Sequence, residues 1–556
     1  MIRNKFHSLI CCAQAAGTLL FLLGCVLPGG CTSPVAKDGS GEGSATEVVA
    51  CRGTVRYESG DPVVNATVFL RKKKWVPGNP LSDPLHSRRI SANTSTNENG
   101  FFTIDSLDTG VFFIEISDTV SHAALVDFVV EESDSQVLDL GTSTAKPFAT
   151  IVGKVDSSAG IGYVRIFGME RLIPVSDSGI FKVGNLPEGT FRFRIDPSSP
   201  GAEPITIDSV GVRSGEYTLI STAGAWTRRA RVDIDAQTGG MLFSENVQHF
   251  PLLVRLNRSN FNFEMAQSNG EDIRFVKADG THFPFEIEQW DSTAGTAAVW
   301  VLVDTIYVDA VTQMQLFWGN PAASAASSGH SVFSPQFGVV GAWHLTASGQ
   351  ANRPNSAQDA FHARPGLYDG DEQVVGLIGM CDSLDLDDHD TLGNINPAFL
   401  TISAWIAPSQ KNNWARIVHK PADGVYHSWG FIYNQPATAG EHMVQGVMKL
   451  DTAGQTLTSQ NPVALEQWTH ICLTFDGLES ALFINGIEEL RYRKPGTLAA
   501  ADYNTYIAWE EKDLSATQKF IGKIDEVRIE SVARSAEWIR LSYENQKPGS
   551  SLVEIK

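Results

Sequence analysis

Glycine-punctuated alternation constrains this chain more than any other feature. Gly100, Phe102, Ile104, Leu107 and Gly110 mark one run, and Gly179, Phe181, Val183, Leu186 and Gly189 repeat it at the same spacing. Phe112, Ile114 and Ile116 extend the first alternation, and Phe191, Phe193 and Ile195 extend the second. A period of two sends successive side chains to opposite faces of a strand, so each run covers one face of a sheet. The glycines permit positive φ in the intervening turns. Five matched positions in two segments predict an internal repeat of small β units. Similar strand signals fill the rest of the chain, and one short helix is expected after the Ser535 cap, with Trp538 and Ile539 on its apolar face.

The first 24 residues read as an address rather than as structure. Arg3 and Lys5 precede an apolar stretch from Leu9 to Leu23 that Gln14 and Gly17 interrupt. A basic start, a short apolar run and a small residue are the parts of a secretory signal, and the run is short for a membrane span. Leu22-Leu23-Gly24-Cys25 resembles the lipobox of bacterial lipoproteins, in which cleavage precedes a cysteine that is then lipidated. That resemblance implies a lipid on Cys25, with no transmembrane helix in the mature chain. Residues 25–47 are rich in Ser, Gly and Pro and read as a flexible tether. The resemblance implies several acyl chains, which anchor firmly where one does not, and with Val26 standing where an aspartate would imply inner-membrane retention, the expected location is the bacterial outer membrane or cell surface.

A formal charge of −20 excludes nucleic acid as a partner, because its phosphates repel so acidic a surface. With 556 residues and 42% hydrophobic side chains, the chain has material for several folded domains. Residues 48–145 resemble the carboxypeptidase-regulatory-like β-sandwich through Gly53, Gly60-Asp61-Pro62, Ala66, Gly100, Phe102, Leu107 and Gly110. Residues 146–225 read as a shorter second copy. From 226 to 337 the D-I-R-F strand, the P-F-E-I-E-Q-W-D segment, the A-A-V-W-V strand and W-G-N resemble an uncharacterised domain found before laminin-G modules. From 338 to 556, "EQWTHICLTFDG", "ALFINGIEEL" and "FIGKIDEVRIE" resemble the concanavalin A-like, laminin-G-type jelly roll. The expected fold class is all-β and multidomain, with small β-sandwiches followed by that jelly roll.

The chemistry is less legible. Glu286 and Glu288 have the paired carboxylates that glycoside hydrolysis uses, but strand alternation explains them as an exposed polar face behind Phe285 and Ile287. The E-x-D-x-x-E pattern of jelly-roll glucanases, H-E-x-x-H and G-x-S-x-G are all missing from the sequence. The basic run Arg71 to Lys74 reads as a solvated loop end. Sugars have apolar faces and polar edges, so Trp414, Trp429, Tyr433 and Trp509, in polar-flanked stretches, are the carbohydrate-binding candidates. The laminin-G resemblance implies a possible Ca2+ site, with Asp525 as its strongest ligand candidate. The acids at 385, 387, 388 and 390 lack EF-hand spacing and read as a strand running into a polar loop.

Seven cysteines complete the reading. Cleavage before Cys25 removes Cys11 and Cys12, and a lipid on Cys25 leaves Cys31, Cys51, Cys381 and Cys472. An even remainder in an oxidising compartment permits Cys31–Cys51 and Cys381–Cys472 bridges. The functional expectation is a non-catalytic, lipid-anchored module that binds a polysaccharide or surface glycan. A hydrolase or lyase with unrecognised acids and a purely structural envelope stalk are its rivals.

Overall fold

A computed structural model describes residues 49–556, apart from 79–91, 132–136, 156–160, 198–203, 222–223, 239–242, 279, 423–424, 436–440, 452 and 510–517. The leader, Cys25, Cys31 and the tether lie outside the described residues. The described chain is almost entirely β, as the alternation predicts.

The glycine-spaced repeat is a structural one. Strand Val49–Tyr57 pairs antiparallel with Phe101–Leu107 and parallel with Leu138–Pro147. Strand Ala149–Lys154 does the same with Ile180–Leu186 and Tyr217–Ser221. Gly100 has φ +73°, and a Cβ there would lie 2.3 Å from the Val55 carbonyl oxygen. Gly179 has φ +78°, with the Val155 carbonyl 2.1 Å from the same point. Backbone hydrogen bonds close both corners, Val55 N–H to Gly100 and Val155 N–H to Gly179. Any side chain at either glycine meets a backbone atom, so the repeat is fixed by close approach as well as by turn conformation.

Lys72, Lys73 and Lys74 of the basic run are exposed, as its reading as a solvated loop end expects, but Arg71 departs from it. Arg71 is buried and pairs with Glu170 of the second sandwich at 2.7 Å. The tip of the first sandwich is therefore docked against the second.

In the third segment, a three-stranded sheet is formed by Val247–Asn257, Thr296–Ile306 and Phe285–Asp291. It faces a four-stranded sheet with the order Arg274–Val276, Thr312–Trp318, Arg228–Ile234 and Val553–Ile555. That last strand comes from the chain terminus, more than 200 residues after its neighbours in sequence. The C-terminal jelly roll has one eight-stranded and one seven-stranded sheet. Trp343, Trp405, Trp429 and Tyr433 are among its largest fully buried side chains.

The last two segments share a core. Helix Ala536–Gln546 starts where expected, with the Ser535 hydroxyl accepting from the Trp538 N–H at 3.2 Å. Trp538, Ile539 and Leu541 join Cys472, Ala481 and Phe483 of the eight-stranded sheet in one cluster with Phe250, Leu252, Val254 and Val301. Each such side chain contributes about 1.5–3 kcal/mol by burial. Asn545 completes the seam like a strand partner, its amide bonding both the N–H and the carbonyl of Leu253. A boundary at residue 337 is therefore present in sequence and absent in packing.

His470 lies on this seam, its ring against Trp405 and Tyr543. Burial, helped by Arg528, pushes its pKa down to about 3. The imidazole is neutral in the fold, whereas it titrates near 6.5 once unfolded. Unfolding thus takes up a proton below pH 6.5, and stability falls as pH drops from 6.5 toward 3. Thermal or urea melts of the whole chain are expected to lose about 2 kcal/mol between pH 6.5 and 4.5 from this residue. His470→Gln is expected to flatten that part of the profile.

Candidate functional site

Four acids and one histidine meet at the seam between the third segment and the jelly roll. Strand Val339–Trp343 pairs with Gly522–Glu530, turning Trp343 into the jelly-roll core and leaving His344 on the opposite side. Glu286 and Glu288 come from Phe285–Asp291. His344 Nε2 lies 3.3 Å from Glu286 Oε2, and its Nδ1 lies 2.5 Å from Glu526 Oε1 and 3.6 Å from Glu288 Oε2. Trp300 donates its indole N–H to Glu288 Oε2 at 2.7 Å and stacks against the imidazole. Ser356 donates to Glu286 Oε1, and Arg528 donates to Glu526 Oε2. The reading of Glu286 and Glu288 as an exposed polar face is therefore corrected, since the jelly roll covers that face and leaves the Glu288 side chain 1% exposed.

Two irregularities aim these side chains. Ile287 lies opposite Val299 and Gln289 opposite Ala298, so Glu288 is an extra residue in its strand. On the closing strand, Ser403 pairs with Arg528 and Trp405 with Asp525, three steps against two. Within that bulge Glu526 has φ +50°, a conformation an ordinary side chain rarely adopts. Strict alternation would send Asp525 and Glu526 to opposite faces, whereas the bulge brings both to one charged cluster. Asp525 Oδ2 accepts the N–H groups of Leu377 and Ile378, so this carboxylate caps a loop. A Cβ at Gly376 would come 2.6 Å from Asp525 Oδ2, and one at Gly379 would come 2.7 Å from Glu288 Oε1. The loop needs glycine at both places to lie over the acids.

The electrostatics follow from this confinement. Burial raises the Glu288 pKa to about 8 against the pull of His344. Burial also raises Asp525 well above the usual carboxylate range, with Glu526 and Glu288 adding to it. Burial alone would lower the His344 pKa, but Glu526, Glu288 and Glu286 carry it well above its ordinary value. Burial would raise Glu526, yet His344 and Arg528 hold it below its ordinary value. Glu288, His344 and Glu526 each place a donor atom within 4.8 Å of the others, close enough to share a metal ion. Glu288, Asp525 and Glu526 are enclosed at this seam, and Glu286 keeps 15% of its side chain exposed.

The aromatic candidates separate. Trp429 and Tyr433 are core residues, 1% and 0% exposed, which corrects their reading as sugar platforms. The Tyr433 hydroxyl meets His442 Nδ1 at 2.7 Å. Trp509 is partly buried against His389 and Tyr506. Trp414 is 38% exposed at φ +62°, its N–H bonded to the Asn434 carbonyl. The acids from 385 to 390 do form a polar connection between strands Met380–Leu384 and His389–Gly393. Asp390 is buried and accepts from the Tyr368 hydroxyl.

Sequence reasoning missed His344, Trp300, Arg528 and Glu526 as members of one site. A histidine ending the apolar run G-V-V-G-A-W-H was the available signal. Their convergence was not readable, because Trp300, His344 and the closing strand that carries both Glu526 and Arg528 lie far apart in sequence.

The proposed Cys381–Cys472 bridge is also corrected. Strands Gly522–Glu530 and Leu400–Pro408 lie between the strands that carry them, so their backbones are about 14 Å apart. A disulfide needs Cα atoms within about 7 Å. Cys51, Cys381 and Cys472 are all buried free thiols, and Cys51 has its pKa raised to about 11 by burial and Asp105.

Comparison with known proteins places two domains in this chain. Residues 382–540 match the concanavalin A-like lectin/glucanases superfamily. Residues 269–337 match a domain of unknown function, DUF2341. No curated protein matches the chain. Among solved structures, one similar chain is domain 4 of AbnA, an extracellular arabinanase from Geobacillus stearothermophilus, in complex with arabinotriose. It is 16% identical over 36% of this chain and 97% of that one, with a TM-score of 0.29. The heptameric SAP-like pentraxin of Limulus polyphemus is 13% identical over 27% of this chain and 73% of its own, with a TM-score of 0.23. The binding domain of Paraclostridial Mosquitocidal Protein 1 is 13% identical over 37% of this chain and 52% of its own, with a TM-score of 0.30.

Burial of the thiols generates a direct expectation. The folded chain should resist a thiol-reactive reagent at Cys51, Cys381 and Cys472 and label at all three in denaturant. Peptide mapping without reduction should yield no fragment that links Cys381 to Cys472.

Proposed function

We propose that this chain is a lipid-anchored, non-catalytic surface protein whose C-terminal head binds glycans. The match of residues 382–540 to a superfamily of lectins and glucanases carries the reading. Burial of Glu288, Asp525 and Glu526 supports the lectin side of that superfamily over the glucanase side, because catalytic acids must reach the glycosidic oxygen. Trp414 is the sugar platform. Its exposed ring offers an apolar face, and the exposed amide of neighbouring Asn413, whose Oδ1 accepts from buried Asn434 at 3.1 Å, supplies a polar group for sugar hydroxyls. The two small sandwiches raise this head above the membrane, and the lipid on Cys25 holds the tether.

A panel of polysaccharides incubated with the whole chain tests binding and cleavage together. Retention without release of reducing ends is expected, with Trp414→Ala weakening affinity at least about ten-fold at unchanged melting temperature. Release of reducing ends that disappears in Glu286→Gln would sink the non-catalytic reading.

The anchor has its own test. A fatty-acid label supplied to expressing cells should enter the wild-type chain and be absent from Cys25→Ser. Label on the serine variant would place the lipid elsewhere.

A further inference from the structure

We propose that Glu288, His344 and Glu526 bind one divalent transition-metal ion, of the zinc type, at the seam between the third segment and the jelly roll. The site goes beyond the glycan reading and does not depend on it.

Donor chemistry comes first. An imidazole nitrogen and two carboxylates lie within 4.8 Å of one another, the mixed nitrogen and oxygen set that zinc-type ions accept. Calcium prefers six to eight oxygens and makes little use of an imidazole. His344 Nδ1 and Glu526 Oε1 share a hydrogen bond at 2.5 Å. The ion takes the place of the shared proton, which leaves to solvent, and the imidazole becomes neutral.

The surroundings resemble a support for metal ligands. The second nitrogen of His344 faces Glu286 Oε2, the carboxylate–histidine arrangement that fixes ring orientation in metal sites. Glu286 is itself held by Ser356, Glu526 by Arg528, and Glu288 by Trp300. Each of the three donors therefore has a partner that orients it.

An independent observation points to a missing ligand. Glu288 Oε1 is fully buried and has no hydrogen-bond partner among the described residues. It belongs to the carboxylate whose other oxygen faces His344. Asp525 Oδ1 is in the same condition. An unpaired buried carboxylate oxygen is costly, and a cation removes that cost.

The test uses the full chain. Protein purified without chelator should retain about one equivalent of transition metal per chain by elemental analysis. Chain stripped with EDTA should melt about 5 °C higher on addition of zinc chloride, while calcium chloride leaves it unchanged. Cobalt chloride added to stripped wild-type chain should produce visible ligand-field bands, a readout that needs no variant. His344→Gln should abolish retention, and Glu286→Gln should weaken it about 10–100-fold with the circular dichroism spectrum preserved. Three results would overturn the proposal: stripped wild type that neither melts higher with zinc nor gives cobalt bands, a His344→Gln chain that binds like wild type, or stabilisation by calcium alone.

Discussion

Burying several carboxylates beside one imidazole is the constraint around which the C-terminal half of this protein is arranged. Taking such groups from water is expensive unless each meets a complementary charge or donor. Here the partners come from both sides of the seam. Glu286, Glu288 and Trp300 belong to the third segment, while His344, Ser356, Asp525, Glu526 and Arg528 belong to the jelly roll. Pulling the two apart would leave unpaired charges on each surface. Register, more than raw stability, is what such a network specifies.

Apolar packing works in the same direction. Helix Ala536–Gln546 is wedged between the two units, and the terminal strand Val553–Ile555 closes a sheet of the unit that precedes the jelly roll. A chain that returns to an earlier domain for its last strand makes the two fold as one body. Under the proposed function, a glycan on the jelly-roll surface would meet a support that folds with it. Upstream, buried Arg71 pairs with the more exposed Glu170 and links one sandwich to the next. An ion pair that crosses a boundary thus recurs at two seams.

Much of this architecture was legible in the residues. The glycine-spaced repeat and the helix after Ser535 were readable, because each depends on local periodicity or on turn geometry, and the jelly roll was readable through its resemblance to a known family. The site was legible only in fragments. Glu286 and Glu288 stood out as a pair and Asp525 as a lone acid, but alternation placed the pair in solvent. The bulges at Glu288 and Glu526 are invisible in the sequence, since nothing in "FEIEQW" or "KIDEVR" announces an extra residue. Trp429 and Tyr433 misled for a related reason. Polar neighbours mark a strand as near the surface without saying which face a given ring takes.

By itself the sequence determined the strands, their turns and their order, because a period of two and an obligatory glycine are local properties of the chain. It also carried the lipobox-like Leu22-Leu23-Gly24-Cys25, a linear motif that requires no fold. Tertiary structure alone decided what the acids face. It turned an apparent solvent edge into a closed site around His344, and it kept Cys381 and Cys472 two strands apart. Those outcomes depend on which surfaces meet, and the meeting of surfaces is set by packing between segments hundreds of residues apart.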